Sequence, residues 1–133
     1  MEKRSKENPW KLKTPPGTSS YEMYIDQINN RETIVCVVGK TILHYDAQCI
    51  DDLHEMLKQR GDWMELGSKD EKQDTKVDTV EHWGRSADNP IGGWYGLKKN
   101  FRGRFGMYLP PLMEALGLVE LEHNPRNNRM RAI

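Results

Sequence analysis

The chain has 133 residues, 36% of them apolar and 30% charged, with twenty basic and twenty acidic side chains and a formal net charge of zero. That length suits one domain of about 100–150 residues, and the clustering of the apolar positions excludes disorder over most of the chain. No apolar run approaches the roughly 18 residues that a membrane-spanning helix needs, and residues 1–13 lack the apolar segment of a secretory signal.

The charge is unevenly spread. Residues 1–13 carry five basic and two acidic groups, residues 14–95 eight and fifteen, and residues 96–133 seven and three. A neutral chain with an acidic middle and basic ends can present a basic face to a polyanion, with ordinary solvated surface as the alternative. Cys36 and Cys49 sit in apolar stretches without metal or redox spacing. They read as buried free thiols of a reducing compartment, which points to the cytoplasm.

Residues 1–20 read as an extended leader, broken by Pro15, Pro16 and Gly17, ahead of a single α+β domain over 21–133. Tyr21, Met23 and Ile25 alternate with polar neighbours as in a half-buried strand. After a turn at Asn29–Asn30, residues 33–38 are β-branched and almost continuously apolar, as in a central strand. Gly39–Lys40 turns the chain into a third strand, residues 41–45, to complete an antiparallel meander. Asp46 is expected to cap a helix in which Ile50, Leu53 and Leu57 share one side, with Gly61 closing it. Residues 62–66 read as a short extended run and end the first part, 21–66.

Residues 67–77 are polar and read as a flexible surface loop. In the second part, 78–133, Asp78 and Glu81 have capping-box spacing for a short helix through Val80 and Trp83. Residues 86–93 are loop, and 94–100 are expected to form a second short helix. Pro110 and Pro111 fit the first turn of a third helix, which ends at Gly117. Val119 and Leu121 then alternate with Glu120 and Glu122 in a C-terminal hairpin.

No catalytic motif emerges. His44, His54, His82 and His123 show no zinc-ligand spacing, Asp51 and Asp52 point apart on their helix, and no residue set calls for a cofactor or a metal. The glycine-rich segments around Gly92–Gly96 and Gly103–Gly106 match no phosphate-loop order. Trp63, Trp83, Trp94 and Tyr108 suit a core, or a protein interface.

The last helix and hairpin, through Leu116-Gly117-Leu118 and Asn124-Pro125-Arg126, resemble the final helix and wing of winged-helix regulators. The residues nearby that suit nucleic-acid contact are Lys98, Lys99, Arg102, Arg104, Arg126, Asn127, Asn128, Arg129 and Arg131. These residue types suit phosphates and base edges. Against the resemblance, the helix itself has only Glu114 as a charged group. The expected function is therefore a non-catalytic nucleic-acid-binding or regulatory module. The rival reading is a protein-interaction module or homo-oligomer, and a small enzyme comes third.

Pro15-Pro16-Gly17-Thr18-Ser19, Gly61-Asp62-Trp63, Trp83-Gly84-Arg85-Ser86, Gly92-Gly93-Trp94-Tyr95-Gly96 and the run from His123 to Ala132 are also similar, nearly end to end, to a family of small bacterial proteins of unknown function. That resemblance implies a bacterial cytoplasmic origin and transfers no mechanism.

Overall fold

The computed structural model describes residues 3–133. Met1 and Glu2, the first residues of the expected leader, lie outside the described residues. The meander forms as expected from β2 (Ser20–Ile28), β3 (Arg31–Val38) and β4 (Thr41–Asp46). Asn29 and Asn30 both take the left-handed conformation, φ 53° and 62°. That handedness lets a two-residue turn follow the right-handed twist of its strands.

The sheet has a fourth strand that the sequence reading assigned to the leader. β1 (Trp10–Lys13) pairs antiparallel with β2, Trp10 opposite Met23 and Lys13 opposite Ser20, giving the order β1-β2-β3-β4. Trp10 and Leu12 alternate with Lys11 and Lys13, so this short segment has the same period of two as its neighbour. Trp10 is buried on the inner side. The prolines that suggested a boundary form the return turn, closed by Gly17 N–H to Thr14 O (2.7 Å) and Thr14 N–H to Ser19 O (3.0 Å).

α1 (Cys49–Arg60) buries Cys49, Ile50, Leu53 and Leu57 and ends at Gly61, φ 68°, as expected. Its start differs by two residues. Asp46 Oδ1 accepts from Gln48 N–H at 3.0 Å, turning the backbone just ahead of the helix rather than capping it. Both cysteines are free and buried.

The C-terminal hairpin also forms, from β6 (Val119–Leu121) and β7 (Arg129–Ala132). β5 (Met64–Glu65) adds to its other side in the order β5-β7-β6. Between the sheets three expectations fail. α2 (Val80–Trp83) is capped by Thr79, whose Oγ1 accepts from His82 N–H, and not by Asp78. Residues 94–100 form no helix. Tyr95 O accepts from Asp46 N–H and Leu97 N–H donates to His44 O, each at 2.8 Å, so the segment runs along the β4 edge. A side chain on Gly96 would fall 2.4 Å from Arg102 O, which explains the glycine there.

α3 (Phe105–Ala115) begins earlier than expected and carries Pro110 and Pro111 in its interior. Interior prolines remove helical hydrogen bonds. Burial of Phe105, Tyr108, Leu109, Leu112 and Met113 holds the helix nonetheless. Its C-terminus closes with Gly117 N–H to Glu114 O and Leu118 N–H to Met113 O, both 3.0 Å, around the left-handed Gly117, a pairing that satisfies two terminal carbonyls.

One core joins the inner faces of both sheets to α1 and α3. Trp83, Tyr95 and Phe105 stack within it, Tyr45 meets Phe105 edge-on, and the Tyr45 hydroxyl donates to Gly103 O at 2.8 Å. Because Trp10 belongs to this core, Trp10→Ala is expected to lower the unfolding free energy by about 3–5 kcal/mol. Urea denaturation checks it; a loss under about 1 kcal/mol, the usual scale for surface changes, would return the segment to a loose leader.

Candidate functional site

The nine residues expected to touch nucleic acid fall in three places. Lys98, Lys99, Arg102 and Arg104 lie on the loop before α3; Arg126, Asn127 and Asn128 on the hairpin turn; Arg129 and Arg131 on β7. Arg102 Nε donates to Glu71 Oε1 at 2.6 Å. Arg129 grips Glu122 with two bonds of 2.9 Å, and Arg131 reaches Glu120 at 3.2 Å. Both β7 guanidinium groups also lie over Trp63, 4.5 and 5.2 Å from its ring centre. Asn128 is buried and spends its amide inside the turn, bonding Asn124 N–H and Asn124 O. Lys98, Lys99, Arg104 and Arg126 make no ion pair among the described residues. α3 is buried along most of its length, so it has no free basic side for a groove.

The arrangement around the loop rests on a pair that the sequence reading missed. Glu81 is 1% exposed, and its Oε2 accepts from Arg85 at 2.7 Å. Its Oε1 accepts from the Gly106 N–H at the start of α3, 2.8 Å away. Burial pushes the Glu81 carboxyl up, opposed by the Arg85 charge and by the Gly106 N–H. Arg85 also donates to the carbonyls of Lys69, Asp70 and Gln73 at 3.1–3.3 Å.

Residues 67–77 are therefore tied down and not a flexible loop. Arg104 N–H donates to Lys69 O at 2.8 Å, and a side chain on Gly103 would lie 2.4 Å from Glu71 N. Trp94 lies 4.4 Å from both the Arg85 and the Arg102 guanidinium carbons, close enough for cation–π attraction. The signal for the pair was the i,i+4 spacing of Glu81 and Arg85, hidden because Glu81 suited a capping box.

His123 joins three segments. Its Nδ1 lies 2.8 Å from Pro15 O and its Nε2 2.7 Å from Glu114 Oε2. Both partners are acceptors, so the ring makes both bonds only as the imidazolium. The Glu114 carboxylate and the Pro15 carbonyl accordingly raise its pKa.

The outward side of the four-stranded sheet has a different character. Ile34 and Cys36 point into the core, so Thr33, Val35 and Val37 point out. Tyr24, Val35 and His44 lie side by side across β2, β3 and β4, and Glu22, Val37 and Ile42 form the next row. Ile42 is 41% exposed, and Val35 is covered to 2%. Two shallow clefts of about 540 and 420 Å³ open on this side, the first beside His44 and Lys98, the second beside Val37 and Lys13. Burial and the Lys98 charge lower the His44 pKa.

Family comparison places the chain. A family model matches residues 2–133. The chain belongs to the family of unknown function DUF6855. No curated protein and no solved structure matches the chain. Among the described residues of this family member, no helix is long and apolar enough to cross a membrane, and no group of three or more His, Cys, Asp and Glu side chains is placed to hold a metal ion.

Two outcomes follow from these contacts. Glu81→Ala, which leaves the Arg85 charge and the Gly106 N–H unmatched, is expected to cost about 3–5 kcal/mol in denaturant unfolding, with amide exchange rising first over residues 67–77. In the folded protein the His123 ring should titrate above its ordinary value of 6.5 by NMR, and return toward it in Glu114→Gln. Because the folded pKa is the higher one, the stabilisation from this bridge is complete below the unfolded value and is lost as pH rises through the folded value.

Proposed function

We propose that this protein is a non-catalytic binding module whose contact surface is the outward side of the four-stranded sheet, and that its partner is a protein. The observation that carries the reading is β3. An antiparallel strand with one solvated side alternates apolar and polar residues, whereas a strand covered on both sides is apolar throughout. β3 is of the second kind, with Ile34 and Cys36 on one side and Val35 and Val37 on the other. The first side is packed within the core; on the second, Val35 is already covered by this chain, and the open apolar groups are Ile42 and the half-buried Val37. Tyr24 and Ile42 extend the apolar area on the second side, and aromatic and aliphatic groups of this sort form the centre of protein interfaces.

A second copy of the chain is the simplest occupant, since an isologous pair covers both surfaces at once. Sedimentation or size exclusion with light scattering over a range of concentrations reads it directly. Ile42→Lys or Val37→Lys should weaken the association at least tenfold, about 1.4 kcal/mol. A particle that stays monomeric at every concentration would overturn self-association, and the Ile42→Lys comparison in a partner capture then decides between another protein and none.

The nucleic-acid reading keeps one supporting observation: Lys98, Lys99 and Arg104 are free of ion pairs among the described residues, and Lys98 stands beside His44 at the edge of the same surface. Fluorescence anisotropy with a single-stranded oligonucleotide tests it. Binding that falls steeply with salt, as phosphate contacts require, would favour this reading over a protein partner.

A further inference from the structure

A cleft of about 480 Å³ lies on a different part of the molecule, between the Pro15–Pro16 turn, the chain after β5, the first turn of α3 and the hairpin tip. We infer that this cleft binds a small molecule carrying a compact oxyanion, a phosphate or a carboxylate, attached to a modest apolar body. The inference is independent of the sheet surface. Its size falls within the roughly 300–1,000 Å³ of small-molecule sites.

Charge is the first argument. Lys69 and Arg126 line the cleft and make no ion pair among the described residues. Lys76 lines it too, 3.0 Å from Glu65, the one carboxylate in the lining. Elsewhere the arginines of this chain are largely consumed: Arg60, Arg85, Arg102, Arg129 and Arg131 each have a carboxylate. An excess of unmatched positive charge at a concave site favours an anion there, because low-dielectric walls concentrate the field.

The second argument is preorganisation. Each wall is fixed by contacts that owe nothing to a ligand. His123 holds Pro15 from below through its carbonyl. Asn128 locks the hairpin tip with two bonds to Asn124, and its own carbonyl accepts from Leu66 N–H at 3.0 Å. Arg85 fixes the Lys69 and Asp70 carbonyls. A rigid site loses little entropy on binding. The four segments come from remote parts of the sequence, so their convergence is a product of the fold.

A hydroxyl supplies the third argument. Ser68 Oγ is buried and has no hydrogen-bond partner, and Ser68 belongs to the lining. Buried polar groups are nearly always satisfied; this hydroxyl is closed off where it stands, and it reaches an oxyanion beside Lys69 and Arg126 by turning about χ1 into the cleft. Pro15, Pro16 and Met107 supply the apolar part of the wall.

The test is an NMR titration of backbone amides at low ionic strength, with inorganic phosphate in one arm and acetate in the other. Saturable shifts at Ser68, Lys69 and Asn127 are expected. The Lys69→Met, Arg126→Met double variant should weaken the binding at least tenfold; both side chains are exposed, so the fold is retained. Arg104→Met, at a cation that does not line this cleft, should leave it unchanged. The tighter arm identifies the ligand as a phosphate ester or as a carboxylate. Shifts that never saturate, that spread evenly over the surface lysines, or that survive the double variant would overturn the site. None of these readouts depends on whether the chain self-associates, since Ile42→Lys leaves the cleft intact.

Discussion

The Glu81–Arg85 pair sits where the parts of this molecule meet. Glu81 is almost inaccessible, yet it accepts from Arg85 and from the first turn of α3, while Arg85 reaches four backbone carbonyls of the 67–77 segment. A buried carboxylate is tolerable only when its lone pairs are matched, and here the matching groups come from two otherwise separate pieces of chain. The polar segment is thus held by the Arg85 guanidinium together with the Arg104 N–H on Lys69 O and Arg102 on Glu71. Gly103 and Gly106 complete the arrangement by letting backbone approach where a methyl group would collide with Glu71 N or Leu66 O.

The same economy of charge redirects the functional reading. A late chain rich in arginine suggests phosphate contacts, because an extended sequence shows cations and not their partners. In the fold Arg102, Arg129 and Arg131 meet Glu71, Glu122 and Glu120 and lean on Trp94 or Trp63. An arginine engaged by a carboxylate and an aromatic ring would have to give up both to bind a phosphate. What is left over in the late chain, Arg126 at one cleft and Lys98, Lys99 and Arg104 near the β4 edge, is smaller and divided. On the second side of β3, Ile42 and the half-buried Val37 are the open apolar groups, set beside Glu22 and His44.

Strand alternation and helix spacing were readable because they are local: the meander, α1 with its glycine stop, and the terminal hairpin all appear where residue periodicity puts them. The misses are equally specific. β1 was hidden behind the two prolines of its own return turn. The supposed helix at 94–100 is pulled straight by the β4 edge, which supplies its hydrogen bonds. α3 runs through Pro110 and Pro111 because burial of Phe105, Leu109 and Leu112 outweighs the bonds the prolines remove. In each case a long-range contact overrode a local preference.

Sequence by itself determined the class of the protein: an α+β fold with two buried thiols and an amphipathic helix on an antiparallel meander. Those properties follow from which side chains avoid water and at what spacing. The tertiary structure alone decided which charges remain available, since an ion pair such as Arg102 with Glu71 joins residues 31 positions apart and leaves no mark on either neighbourhood. It alone also gathered Pro15, Lys69 and Arg126 around one cleft, because proximity between distant segments arises from packing and is not written in any one of them.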